Sequence, residues 1–100
     1  MKQSLETFFK PKSIAVVGAS KNPTKIGHAS LKNILISDYP CKLYPVNPKE
    51  DEILGLKCYK KLMDIPGSVD LAMIAVPEPH VLQIVKDCVE KNIKWVIIIT

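Results

Sequence analysis

The chain has 100 residues, 47% of them hydrophobic, which is enough to bury one core and too few for two ordinary domains. Its apolar runs (14–17, 71–76 and 95–99) are far too short to span a bilayer and follow no signal-peptide pattern, so a soluble, cytoplasmic protein with no membrane partner is expected. The net charge of +4 suits an anionic ligand, but the lysines are scattered and the aromatics number only six, so the basic stripe and stacking platform of a nucleic-acid binder are lacking.

Short β-branched runs alternate with amphipathic stretches, which predicts an α/β fold of parallel strands joined by crossover helices. Residues 4–9 suit a brief leading helix that ends before Pro11. Residues 13–17 form the first buried strand. Thr24 can then cap a helix whose apolar positions Gly27, Leu31, Ile34 and Leu35 share one stripe, with Asp38, Tyr39 and Pro40 closing it. Residues 42–46 form a second strand, and Pro45 and Pro48 give it a rigid, extended exit. Gly55 permits a turn and a short edge strand within 53–59, and residues 60–63 allow one helical turn. The nearly unbroken apolar run 71–76 reads as a strand covered on both faces, stopped by Pro77. Pro79 opens a helix with the stripe Val81, Leu82, Val85, Cys88 and Val89, Asn92 stops it, and residues 94–100 are the last strand. The sum is a mostly parallel sheet of about five strands with helices on both faces.

Ligands of open parallel sheets sit outside the carboxyl ends of the strands, so three exits draw attention: Gly18-Ala19-Ser20, Val46-Asn47-Pro48-Lys49 and Val76-Pro77-Glu78. At the first, Gly18 allows a tight turn and Ser20 adds a hydroxyl ahead of a helix N-terminus whose amides favour phosphate. Lys25 adds positive charge, and Gly27 allows close approach of helix, sheet or ligand. Taken alone, Gly-Ala-Ser also suits a plain strand-to-helix turn with no ligand. The dinucleotide fingerprint is absent: Ser20 and Pro23 occupy its second and third glycine positions, and Gly27 comes too late. The second exit offers Asn47 and Lys49 in place of the acid that binds ribose hydroxyls, which makes NAD a secondary ligand candidate.

The segments Pro11-Lys12-Ser13-Ile14-Ala15-Val16-Val17-Gly18-Ala19-Ser20, Lys25-Ile26-Gly27, Tyr44-Pro45-Val46-Asn47-Pro48-Lys49 and Ala75-Val76-Pro77 together resemble the CoA-binding domain of ADP-forming acyl-CoA synthetases. The resemblance covers essentially the whole chain and is strongest toward acetate-CoA ligase (ADP-forming), with succinyl-CoA synthetase alpha subunits more distant. It implies a Rossmann-like fold holding coenzyme A across the strand ends. Gly18, Ala19 and Ser20 would lie near phosphate, Val46 to Lys49 along the nucleotide portion, and Val76 and Pro77 across the cleft. Thr100 matches the start of the family's last strand-end segment, whose following turn is missing, so one wall of the site is expected to be incomplete. The resemblance also implies the N-terminal domain of a larger enzyme converting acyl-CoA, ADP and phosphate to acid, CoA and ATP. An ATP-grasp domain or subunit would be its partner, and the phosphorylated histidine, ADP, ATP and Mg would belong to domains beyond this chain.

The remaining residues suggest less chemistry. His28 and His80 lack a paired carboxylate or nucleophile motif and read as solvated or capping. Glu50, Asp51 and Glu52 read as a solvated loop, and Trp95 and Met73 as strand packing. Cys41, Cys58 and Cys88 are odd in number and widely spaced, which suggests buried or half-buried thiols and no disulfide or zinc site. Two other readings stay open: a non-enzymatic module responsive to CoA or NAD(H), and a CoA-binding segment of an acyltransferase.

Overall fold

The computed structural model describes residues 8–99. The expected leading helix at 4–9 falls mostly outside this range, with only Phe8 and Phe9 seen, both helical. Strand β1 (Ser13–Val17) is buried along its whole length. It lies between β2 (Lys42–Val46) and β5 (Leu71–Ile74), and β6 (Trp95–Ile98) pairs with the far side of β5. All three pairings are parallel. Among the described residues the main sheet has four strands in the order β2-β1-β5-β6, close to the five or so expected. The additional β structure is a separate hairpin of β3 (Glu52–Ile53) and β4 (Leu56–Lys57), which turns at Leu54-Gly55 with both residues at positive φ. Pro45, which has no N–H to give a ladder, sits in edge strand β2, where its carbonyl accepts the Tyr59 N–H at 2.9 Å.

Alternation along the strands divides the interior into two cores. Ala15, Val17, Ala72 and Ile74 point toward α2 (Glu78–Glu90), whose Cys88 is buried beside Val81, Ile84 and Val85. On the opposite face, Ile14, Val16 and Leu71 meet Leu31, the fully buried anchor of α1 (Ile26–Ser37), and Ile53 and Cys58 near the hairpin close that side. Of the two helices α1 and α2, one thus lies on each face. Each helix buries a narrower stripe than its sequence suggests. Leu35 is 40% exposed, Leu82 65% and Val89 70%, because a single helix laid on a four-stranded sheet touches it along one line of side chains.

The helix ends have identifiable causes. Asn92, at φ 63°, ends α2 with the Ile93 N–H reaching the Cys88 carbonyl and the Asn92 N–H reaching Val89, a Schellman arrangement whose flanking Ile93 and Cys88 are both buried. The expected Thr24 cap does not form. Both the Thr24 N–H and its hydroxyl donate to Asn22 Oδ1, at 3.0 and 2.8 Å, so the hydroxyl is occupied and α1 begins one residue later, after Lys25. A 3₁₀ turn at Leu62–Asp64 takes the place of the helical turn expected at 60–63. At the pole where the strands begin, the ring of Phe8 packs 5.0 Å from that of Trp95. Among the described residues no helix is long and apolar enough to cross a membrane.

Candidate ligand-binding cleft

Strand order reverses direction at β1: its successor β2 lies on one side and β5 on the other, so the loops leaving β1 and β5 diverge and a crevice opens between them. A cleft of about 840 Å³ occupies that position. Its floor depends on two glycines. Gly18 turns the chain at φ +93°, where a Cβ would also strike the Ala75 carbonyl oxygen, and a Cβ on Gly27 would overlap the Gly18 carbonyl. Only at these positions can β5, the β1 loop and the start of α1 approach so closely.

Ser20, Lys25 and Gly27 line the cleft from the first exit, and Asn47, Pro48 and Lys49 from the second. Val76 and Pro77 face them from the third. Ala19 and Val46 lie behind this lining: Ala19 has no exposed surface and Val46 only 4%, so both support the wall from within the cores. Thr100 is outside the described residues. Glu78 of the third exit joins the lining, as do four further residues: Thr24, Ile26, Ala75 and Ile99. Ala75 and Ile99 directly follow β5 and β6, and attention to every strand exit would have found them.

The donors suit an anion. Among the described residues, the N–H groups of Ser20, Ile26 and Gly27 reach no acceptor, and the last two open the first turn of α1. The Ser20 hydroxyl accepts the Asn22 N–H at 3.0 Å, leaving its own proton to donate. Lys25 and Lys49 place two positive charges on the rim against the single carboxylate of Glu78, which stands in the first turn of α2.

The Asn47 side chain, expected along the nucleotide portion of the coenzyme, has both of its polar atoms bonded within the protein. Its Nδ2 donates to the Ala19 carbonyl at 2.8 Å, and its Oδ1 accepts the Lys49 N–H at 2.7 Å. Nearby, Lys21 pairs with Glu50 at 3.3 Å and Lys60 with Asp51 at 2.9 Å, so two members of the acidic run tie loops together. The Lys60 ammonium, by hydrogen bond and charge, lowers the Asp51 carboxyl below its ordinary range. Of the solvated or capping roles expected for it, His28 does not take the solvated one. It is 8% exposed, and its Nδ1 lies 2.8 Å from the Ser20 carbonyl. His80 is exposed at the start of α2, as expected. Burial raises the thiols of Cys41, Cys58 and Cys88 above their ordinary value.

A four-stranded parallel sheet with a helix on each face and a donor-lined crevice at its switch point defines a Rossmann-like binding domain. The CoA binding domain family matches residues 12–100, and the chain belongs to that family. It is 47% identical over 90 residues to an acetate–CoA ligase (ADP-forming) of Methanocaldococcus jannaschii, covering 90% of this chain and 12% of the relative. It is 48% identical over 97 residues to the acetate–CoA ligase (ADP-forming) II subunit alpha of Pyrococcus furiosus, covering 96% and 21%. The chain thus spans about one fifth or less of these relatives. The solved acetyl-coenzyme A synthetase 1 of Ca. Korarchaeum cryptofilum, in complex with phosphate and ADP, superposes with a TM-score of 0.93 at 49% identity, over 96% of this chain and 21% of that one. A conserved hypothetical protein from Pyrococcus furiosus superposes with a TM-score of 0.80 at 42% identity, over 88% of this chain and 74% of that one.

Proposed function

We propose that the switch-point cleft binds coenzyme A, and that the chain serves as the CoA-binding domain of an ADP-forming acyl-CoA ligase. The observation that carries this is the convergence of unpaired amides from the β1 loop and α1 with Lys25 and Lys49 in one crevice. Its volume of about 840 Å³ falls within the range of ligand sites, roughly 300–1,000 Å³. Gly18, Ser20 and the first turn of α1 would hold a phosphate-bearing part of the coenzyme, Pro48 and Lys49 would flank its nucleotide portion, and Val76 and Pro77 would form an apolar wall. The domain binds and presents the thiol. Acyl transfer, the phosphohistidine and the handling of ADP, ATP and Mg belong to other parts of the parent enzyme.

Calorimetry of the chain with coenzyme A tests this directly. Binding that weakens with added salt and is not displaced by NADH is expected; no heat at millimolar coenzyme would overturn it. A second reading, a small CoA-responsive module outside any ligase, has one observation in its favour: the Pyrococcus furiosus hypothetical protein, of which this chain covers 74%, is itself little longer than one such domain. The neighbouring reading frame separates the two, because the ligase reading requires an ATP-grasp partner.

A further inference from the structure

The loop between β1 and α1 is held by its carbonyl groups. The Ala19 oxygen accepts from Asn47 Nδ2 and the Ser20 oxygen is bonded to His28 Nδ1, each at 2.8 Å. These are consecutive peptides, gripped from different elements: Asn47 follows β2 and His28 lies in the first turn of α1. The chemistry fixes the roles. A carbonyl only accepts, so His28 carries its proton on Nδ1. The Lys49 N–H only donates, so the Asn47 oxygen must face Lys49 and its NH₂ must face Ala19.

No peptide bond here is cis, so each N–H points opposite to the carbonyl of its own peptide. Fixing the Ala19 carbonyl aims the Ser20 N–H, and fixing the Ser20 carbonyl aims the Lys21 N–H. Neither N–H has an acceptor among the described residues. Of the two residues, Ser20 lines the cleft and Lys21 does not, so the Ser20 amide is the donor that an anion in the cleft can use. We propose that His28 and Asn47 are positioning residues: Asn47 aims the Ser20 N–H, and His28 fixes the next peptide plane, so that Ser20 keeps the orientation in the cleft that receives a phosphate group of the coenzyme. The inference rests on the coenzyme A reading of the same cleft.

The test uses the full chain, coenzyme A as probe, and the backbone ¹⁵N resonances of Ser20 and Lys21, the nitrogens of the two clamped peptides. His28→Asn puts an amide N–H where Nδ1 stood; His28→Gln is also polar but cannot. Asn47→Asp keeps the acceptor for Lys49 and loses the donor to Ala19. Expected is a loss of affinity of about tenfold for His28→Gln and Asn47→Asp, with the Lys21 and Ser20 resonances displaced respectively, whereas His28→Asn stays within about threefold of the parent. Equal affinities with unmoved resonances would overturn the proposal, as would His28→Asn binding as weakly as His28→Gln, which would mean that the ring acts by packing. Absence of coenzyme binding by the parent chain would instead overturn the functional reading, and the resonances alone would then judge the clamp.

Discussion

Gly27 sits so close to the Gly18 carbonyl that helix α1 and the β1 loop touch backbone to backbone. Alanine within a helix ordinarily gains close to 1 kcal/mol over glycine. Here the sign reverses, because the added methyl meets a carbonyl that cannot swing away. Gly27→Ala is expected to lower stability by about 1–3 kcal/mol and to weaken coenzyme A binding, measured by urea unfolding and calorimetry.

The two lysines on the rim act through charge. Lys25→Ala and Lys49→Ala should each reduce coenzyme affinity by about tenfold at low salt. The difference from the parent should narrow as salt is added, since exposed charges are screened. Titrations at two ionic strengths check this; a loss that ignores salt would mean that the side chains contribute by packing instead.

Burial, with a smaller push from the Asp87 carboxylate, raises the Cys88 thiol from its ordinary 9.0 to about 11. The folded state therefore favours the protonated form. The stability this confers is complete below pH 9.0 and is lost as the pH rises through about 11. Unfolding free energies measured from pH 8 to 11 should fall more steeply for the parent than for Cys88→Ala, although the variant starts lower because it leaves a cavity. Parallel curves would contradict the assignment.

Leu54 occupies the left-handed region at φ 52°, followed by Gly55 at φ 81°, the geometry of a two-residue hairpin turn that prefers Asn-Gly. A side chain such as leucine resists that conformation, and at 43% exposure Leu54 recovers little by burial. Leu54→Asn should raise stability by about 1 kcal/mol, visible as a higher thermal midpoint.

Strands β1 and β2 fall at the expected residues: β1, buried along its whole length, leaves the apolar run of a covered parallel strand, whereas β2 is an edge strand that begins at the exposed Lys42. Helix faces were less legible. Leu82 and Val89 fit the apolar stripe of α2, yet the width of sheet available to each helix is a property of the assembled fold. The three strand exits border the cleft but do not separate lining from backing: Ala19 and Val46, which the resemblance sets near the ligand, are both buried. The side-chain bonds of Asn47 and His28 were beyond reach for a simpler reason. Asn47 meets Ala19 across 28 positions of sequence, and His28 meets Ser20 only after α1 docks, so neither partner lies in a local motif. Thr24 failed as a cap through local competition from Asn22, a signal that was present in the sequence.

The contact between Phe8 and Trp95 has a practical consequence. Trp95 is the chain's single tryptophan and opens β6, three residues and about 10 Å of extended strand before Ile98 at the cleft end. Its fluorescence should follow loss of the folded sheet while staying largely indifferent to what enters the crevice. One intrinsic chromophore thus lets melting be followed optically with coenzyme present or absent, without a dye competing for the same pocket.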